Sequence, residues 1–237
     1  MQSFTGVANR LKISLTPSQL EAFDLYARRL LEENPRASLT SDDTRDAIYQ
    51  RHFAESLALL EALDDLDVVH PPVIDIGSGG GFPGIPIKIA RPDLPITLLD
   101  ATGKKVRFLE AIAAELGLSD VTVIQSRAED IGRDPDHRER YRLALARAIA
   151  PLRVLLELAL PLVAEGGILA APKGSAAPRE LGEAETALIT LGGEVADVRP
   201  LDLPEATTPI TLITIRKTAP TPDRYPRRPG IPRKRPL

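Results

Sequence analysis

Apolar positions along the chain fall into three rhythms. Up to about residue 65 they recur at helical spacing. Thr16-Pro17-Ser18-Gln19 carries a helix-start signal, a hydroxyl cap followed by Pro at the first helical position. Leu20, Phe23, Leu25, Leu30 and Leu31 follow as a loose helical stripe. Asn34-Pro35 is expected to stop this helix, because a residue before Pro avoids the α region. Ser41-Asp42-Asp43 is expected to cap a second helix bearing Ala47, Ile48, Phe53, Leu57, Leu60 and Leu63. From residue 72 short apolar runs alternate with helical patterns, which predicts βαβ units on a parallel sheet. Strands are expected at 73–77, 96–100, 121–125, 143–146 and 167–171, with helices near 85–90, 104–116, 152–163 and 179–191. The strand runs are almost continuously apolar, as in a sheet covered on both faces. Two final β-rich runs, 194–201 and 210–216, are separated only by a Pro-containing loop. They predict an antiparallel hairpin at the sheet edge.

Composition narrows the chemistry. A chain of 237 residues suits one α/β domain with appendages. Its boundaries are expected at 1–70 for the helical region, 71–217 for the α/β domain and 218–237 for a tail. With 43% apolar residues, 4% aromatics and no Trp, the core is built from Leu, Ile, Val and Ala. The absence of Cys excludes disulfides, Cys-ligated metals and every Cys nucleophile. Three scattered His without ligand spacing argue against a transition metal. The N-terminus lacks a charged segment followed by an apolar run, and no stretch is long and apolar enough for a membrane span. A soluble cytoplasmic protein is the expectation.

The net charge of −3 hides an asymmetry. The tail 218–237 holds six Pro, with Arg224, Arg227, Arg228, Arg233, Lys234 and Arg235 against the single acid Asp223. That is +5 in the tail and −8 on the rest. Such a segment is not expected to fold by itself. Clustered Arg with little acid points to contact with a phosphate backbone, against the plainer reading of a solvated terminus.

The strongest motif is Ile74-Asp75-Ile76-Gly77-Ser78-Gly79-Gly80-Gly81-Phe82-Pro83-Gly84, between a predicted strand and a predicted helix. Gly77 and Gly79 permit a tight turn and close approach of a ligand. N–H groups at the following helix start are expected to favour a carboxylate or phosphate. Gly79, Gly81 and Gly84 also match the dinucleotide fingerprint, which alone would suggest NAD. Asp75 distinguishes the readings, since an acid at that strand end suits the ammonium of a methionine moiety. Asp100 lies where a ribose diol would sit, and its plainer role is to cap the next helix. Ser126-Arg127-Ala128-Glu129 follows the third strand, where backbone at Ala128 and Glu129 is placed to read a base edge. Arg147 and Lys173, at the ends of strands four and five, are candidates for contact with substrate. His52 reads most simply as structural, and 130–142 as a solvated loop of mixed charge.

Five parallel strands plus a terminal hairpin resemble the class I methyltransferase fold and not the fully parallel dinucleotide fold, and several methyl-transfer chemistries are disfavoured by what is missing. Attack at a pyrimidine C5 needs a covalent Cys. Exocyclic amino methylation commonly uses an Asp/Asn-Pro-Pro-aromatic stretch after strand four, and this chain has Ala146-Arg147-Ala148-Ile149-Ala150-Pro151-Leu152 there. Guanine N7 remains a fitting nucleophile, because its lone pair is already free at neutral pH. Alignment and field would then carry the reaction, with no dedicated general base.

At these residues the chain resembles the ribosomal RNA small-subunit methyltransferase G family, the 16S rRNA guanine-N7 methyltransferases. The resemblance rests on Asp75 through Pro86, on Leu98-Leu99-Asp100 with Gly103-Lys104-Lys105-Val106-Arg107-Phe108-Leu109, and on Ser126-Arg127-Ala128-Glu129. Arg147-Ala148, Gly166-Gly167, Lys173-Gly174 and the terminal Tyr225-Pro226-Arg227-Arg228-Pro229-Gly230-Ile231-Pro232 extend it over nearly the whole chain. It implies a class I S-adenosylmethionine-dependent methyltransferase fold, a Rossmann-like α/β sheet of seven strands with an N-terminal helical extension. It implies S-adenosylmethionine as cofactor, touched by Gly77, Phe82, Ala128, Glu129 and Arg147, and 16S rRNA or the small ribosomal subunit as partner of a monomer. Two departures lie on the substrate side. Glu33-Asn34-Pro35 and then Ser38-Leu39-Thr40 stand where the family has a Trp-Asn pair and then Asn-Leu-Thr, and His52-Phe53-Ala54-Glu55-Ser56-Leu57 carries Glu for the usual Asp. The alternatives are a dinucleotide-dependent oxidoreductase and a non-catalytic rRNA-binding factor.

Overall fold

The computed structural model describes residues 2–203 and 209–237. Helices α1 (Gln2–Arg10), α2 (Pro17–Ala37), α3 (Arg45–Ala47) and α4 (Ala54–Asp65) open the chain, with a π-helical turn at Ile48–Phe53 joining the last two. Strands and helices then alternate: β1 (Val73–Ile76), α5 (Gly84–Ala90), β2 (Ile96–Asp100), α6 (Gly103–Glu115), β3 (Val121–Gln125), α7 (Ala128–Ile131), β4 (Tyr141–Leu145), α8 (Leu152–Ala159) and β5 (Val163–Lys173). α9 (Ala177–Gly182), α10 (Glu185–Leu191), β6 (Gly193–Pro200), β7 (Thr211–Lys217) and α11 (Ile231–Lys234) complete it.

The seven strands lie in the order β3-β2-β1-β4-β5-β7-β6. β1 to β5 are mutually parallel, and β7 runs antiparallel to both β5 and β6. The expected hairpin is therefore present, with β7 inside the sheet and β6 at its edge. Most of its connecting loop falls outside the described residues. β6 alternates half-buried and exposed positions, as an edge strand does. β1 is buried at every position, because helices cover both faces. On one face Val73, Ile96, Leu98, Leu143 and Leu145 pack against the N-terminal helices and α5. On the other, Ile74, Ile76, Leu99, Ala144 and Leu169 pack against α8 and α10. The helical region 1–70 thus shares its core with the sheet.

Several boundaries differ from the sequence expectation. Pro35 sits inside α2. The helix ends at Ser38, in the left-handed conformation at φ 52, and the Asn34 side chain accepts from the N–H groups of Leu39 and Thr40. Near a C-terminus the missing proline N–H removes one bond, and the Asn34 amide redirects the chain just afterwards. The second helix is capped by Thr44 rather than by 41–43. The single helix expected over 179–191 is two, α9 and α10. The mixed-charge stretch 130–142 is not simply solvated. Arg138 donates to the carbonyls of Gly132, Thr221 and Tyr225, and Glu139 accepts from Lys217 Nζ at 2.7 Å.

The tail is not a freely solvated terminus. It packs back onto the sheet's α8 side, with Thr221 and Tyr225 buried. Arg227 donates through Nε and Nη2 to both oxygens of the buried Glu157, and through its backbone N–H to one of them. The segment folds on a surface that the rest of the chain provides, which composition alone does not reveal.

Candidate active site

β1 lies between β2 and β4, so successive connections leave it in opposite directions. The carboxyl ends of β1 and β4 form the switch point where open α/β sheets bind ligands. A cleft of about 1020 Å³ opens there. Gly77, Gly79 and Phe82 line it from the glycine-rich loop, Arg147 and Ile149 from the loop after β4, and His52 and Glu55 from the N-terminal helices.

The loop after β1 turns through left-handed backbone at Gly77 (φ 67) and Gly79 (φ 60), a conformation that side chains resist. A Cβ on Gly77 would sit 3.2 Å from Ile149 across the cleft. Asp75 is fully buried, and its Oδ2 accepts the Gly84 N–H at 3.0 Å. The first N–H of α5 therefore points inward to Asp75 and not to an external anion, contrary to the sequence expectation. The other Asp75 oxygen is buried without a hydrogen-bond partner. Burial pushes this carboxyl up to about 7, against the lowering influence of the Gly84 N–H, Ser78 and Arg147. A buried acceptor in need of a donor fits the ammonium of a methionine moiety.

Asp100 accepts the Gly79 N–H through Oδ2 at 3.0 Å and the Thr102 N–H through Oδ1 at 2.8 Å. It therefore ties the glycine loop to the approach of α6, whose cap is Thr102. Each of its oxygens keeps a lone pair for a ribose hydroxyl. Ala128 and Glu129 begin α7, so this corner is a short helix and not an ordinary loop. Glu129 is buried, and its Oε1 accepts the Gly230 N–H of the tail at 3.0 Å.

Arg147 is the hub of the cleft. Its Nη1 donates to Glu55 Oε2 at 2.8 Å and its Nη2 to His52 Nδ1 at 2.7 Å. The guanidinium carbon lies 5.0 Å from the centre of the Phe82 ring, and the His52 ring stacks on Phe82 at 4.5 Å. Burial lowers the Arg147 pKa, opposed chiefly by Glu55. Burial also raises that of Glu55, with Arg147 pulling it back. His52 Nε2 donates to Thr40 Oγ1 at 2.8 Å and lies 2.7 Å from an Asp42 oxygen in poor hydrogen-bond alignment. Desolvation and the Arg147 charge hold His52 down at about 4. His52 is thus a partner of the site's arginine, a relation its sequence position does not disclose.

Lys173 lines the cleft but is not a free cation there. Its Nζ donates to the Ala150 carbonyl at 2.6 Å and pairs with Glu180 at 3.0 Å, and Glu180 accepts the Leu152 N–H. Both residues brace the loop after β4, where Ala148 is held in left-handed backbone at φ 55. Sequence reasoning missed Tyr26, which is fully buried and donates to the Gly80 carbonyl beneath the glycine loop. Its spacing from Phe23 and Leu30 was the available signal. The tail cations lie apart from the cleft floor. Arg224, Arg228, Arg233, Lys234 and Arg235 are exposed, whereas Arg227 is engaged by Glu157.

Among the described residues no cluster of His, Asp and Glu is arranged to hold a metal ion, and no helix is long and apolar enough to cross a membrane.

The fold is similar to that of a protein described as a sarcosine dimethylglycine methyltransferase from Galdieria sulphuraria, at a TM-score of 0.53 and 14% identity over 70% of this chain and 85% of that one. In sequence, the chain is 45% identical over 237 residues to a ribosomal RNA small subunit methyltransferase G of Roseiflexus castenholzii, covering 100% of both. It is 46% identical over 225 residues to the protein of that name from Chloroflexus aggregans, covering 95% of this chain and 93% of the relative. The model of the rRNA small subunit methyltransferase G family matches residues 19–207, and the chain belongs to that family.

Proposed function

We propose that this protein transfers a methyl group from S-adenosylmethionine to N7 of a guanine in 16S rRNA, acting as a cytoplasmic monomer on naked rRNA or the small ribosomal subunit. The observation that carries the reading is the meeting of Asp75, Gly77, Phe82 and Arg147 at the β1/β4 switch point of a chain in this family. Asp75 offers its unpartnered oxygen to the cofactor's ammonium and Asp100 its free lone pairs to the ribose, while the Ala128–Glu129 corner flanks the base. Bound cofactor supplies an electrophilic methyl on a sulfonium. Guanine N7 carries no proton, so the new C–N bond forms as the C–S bond breaks and no base is required.

The cleft is consistent with that economy. His52 is neutral at physiological pH and lies against Arg147. The protein's work is to hold, orient and exclude water. Arg147, locked by Glu55, His52 and the Phe82 face, is the fixed positive charge at the reacting end. The exposed tail cations Arg224, Arg228, Arg233, Lys234 and Arg235 are proposed to contact rRNA phosphates. Arg233 also donates to the Ile149 carbonyl, which places this basic rim beside the cleft.

The antiparallel β7 and Asp75 argue against the dinucleotide reading, and the intact Asp75, Gly77, Gly79, Asp100 and Glu129 set argues against the non-catalytic one. The test incubates tritiated S-adenosylmethionine with small subunits, naked 16S rRNA and tRNA and maps the product. Label at guanine N7 of 16S rRNA is expected, and label elsewhere or none defeats the proposal. Calorimetry is expected to detect S-adenosylhomocysteine and not NAD(H).

A further inference from the structure

The tail does more than present cations. Beyond β7 it is fixed first by Lys217, whose fully buried Nζ donates to Glu139, the Leu160 carbonyl and Thr221 Oγ1. Arg138 then grips the Thr221 and Tyr225 carbonyls. Tyr225 enters the core beside α8, and Arg227 closes on Glu157, whose side chain is 1% exposed. From that anchor the chain reaches two loops of the cleft. The Gly230 N–H meets Glu129 at 3.0 Å, in backbone of φ 83 that favours glycine. Arg233 Nη2 meets the Ile149 carbonyl at 3.0 Å. The Ile149 side chain faces the Gly77 turn closely enough that a Cβ on Gly77 would lie 3.2 Å from it.

One strap therefore joins the corner after β3, the loop after β4 and, through Ile149, the glycine-rich loop. These segments carry Gly77, Gly79, Phe82, Ala128, Glu129 and Arg147 of the proposed cofactor site, while Asp75 and Asp100 lie on β1 and β2. We propose that residues 224–237 are a positioning strap for S-adenosylmethionine, with Arg227–Glu157 as its anchor and Gly230–Glu129 and Arg233–Ile149 as its contacts. The proposal rests on the cofactor reading given above. Glu129 lies in the four-residue helix α7 and Ile149 on the loop after β4, and one helical turn or a loop is free to sample other conformations unless tied. The strap fixes both before the cofactor arrives and reduces the ordering that binding would otherwise require. Linkage makes the effect reciprocal, so cofactor binding must also hold the strap more firmly.

Two measurements test this without RNA, and so apart from any phosphate contact. The first is calorimetry with S-adenosylhomocysteine on the full chain, on a chain ending at Asp223 and on Arg227→Ala. The dissociation constant is expected to rise about tenfold in both variants. Unchanged affinity in folded variants overturns the proposal. The second uses the intact protein and covers the case in which a variant does not fold. Amide exchange in 225–235 is expected to slow about tenfold with saturating S-adenosylhomocysteine, while exchange in β6, remote from the cleft, stays unchanged. Equal exchange with and without the ligand overturns it. If the full chain binds no S-adenosylhomocysteine, the cofactor reading itself fails, which is a different result from equal binding by full and truncated chains.

Discussion

Arg147 Nη2 lies 2.7 Å from His52 Nδ1, and a guanidinium can only donate. His52 Nδ1 must therefore accept, which leaves the proton on Nε2, facing Thr40 and Asp42. The pair fixes both the tautomer of the histidine and the plane of the arginine. Nitrogen NMR should find His52 as the neutral Nε2–H form from about pH 8 down to about pH 5, in line with its depression to about 4. A titration midpoint near the ordinary histidine value would contradict this arrangement.

Removing the hub should cost more than charge. Arg147→Ala leaves Glu55 and His52 facing each other in a largely buried site without their donor. A loss of about 1–3 kcal/mol in unfolding free energy is expected by denaturant titration. A fall of about a hundredfold in kcat/KM should accompany it. Arg147→Lys keeps the charge but lacks the fork that reaches both partners, so it should recover activity only in part.

Asp75 should give cofactor binding a pH signature. Its folded-state pKa is raised to about 7 from 3.8, so between those values the folded protein holds a proton that the unfolded chain has released. The free protein therefore gains stability from this group as pH falls through about 7, relative to Asp75→Asn in thermal melts. An incoming ammonium needs the ionised carboxylate. S-adenosylhomocysteine affinity should rise about tenfold per pH unit below 7, with proton release, and level off above it. The profile of Asp75→Asn should be flat.

Gly84 is a packing glycine. A Cβ there would lie 2.5 Å from Leu98 and 2.8 Å from the Asp75 carboxylate. Gly84→Ala is expected to lose about 1–3 kcal/mol of stability and to weaken S-adenosylhomocysteine binding by disturbing Asp75. Paired denaturation and calorimetry experiments would measure both.

The tail cations separate into two groups by salt dependence. For RNA binding, Arg224→Gln, Arg228→Gln, Lys234→Gln and Arg235→Gln should each lower the logarithmic salt slope by up to about 0.7. Arg227→Gln should leave the slope unchanged, because its guanidinium already lies on Glu157. A slope loss at Arg227 equal to the others would show that this ion pair opens on RNA.

Much of this protein was legible along the chain. Short apolar runs and their spacing determined the parallel strands, because a sheet buried on both faces needs apolar residues throughout. The glycine run determined the turn after β1, because only glycine takes its backbone freely. Asp75 and Asp100 stood out because they are acids at or next to the carboxyl ends of β1 and β2. Other features depend on groups distant in sequence. Pro35 stays helical because the Asn34 side chain caps the chain beyond it. His52 and Glu55 meet Arg147 across more than ninety residues, and Lys173 is held by Ala150 and Glu180. The tail reads as unfolded because composition counts only the apolar surface it owns. Tertiary structure supplied the missing surface and the buried carboxylates of Glu157 and Glu129. It thereby turned a basic terminus into a strap across the cleft loops.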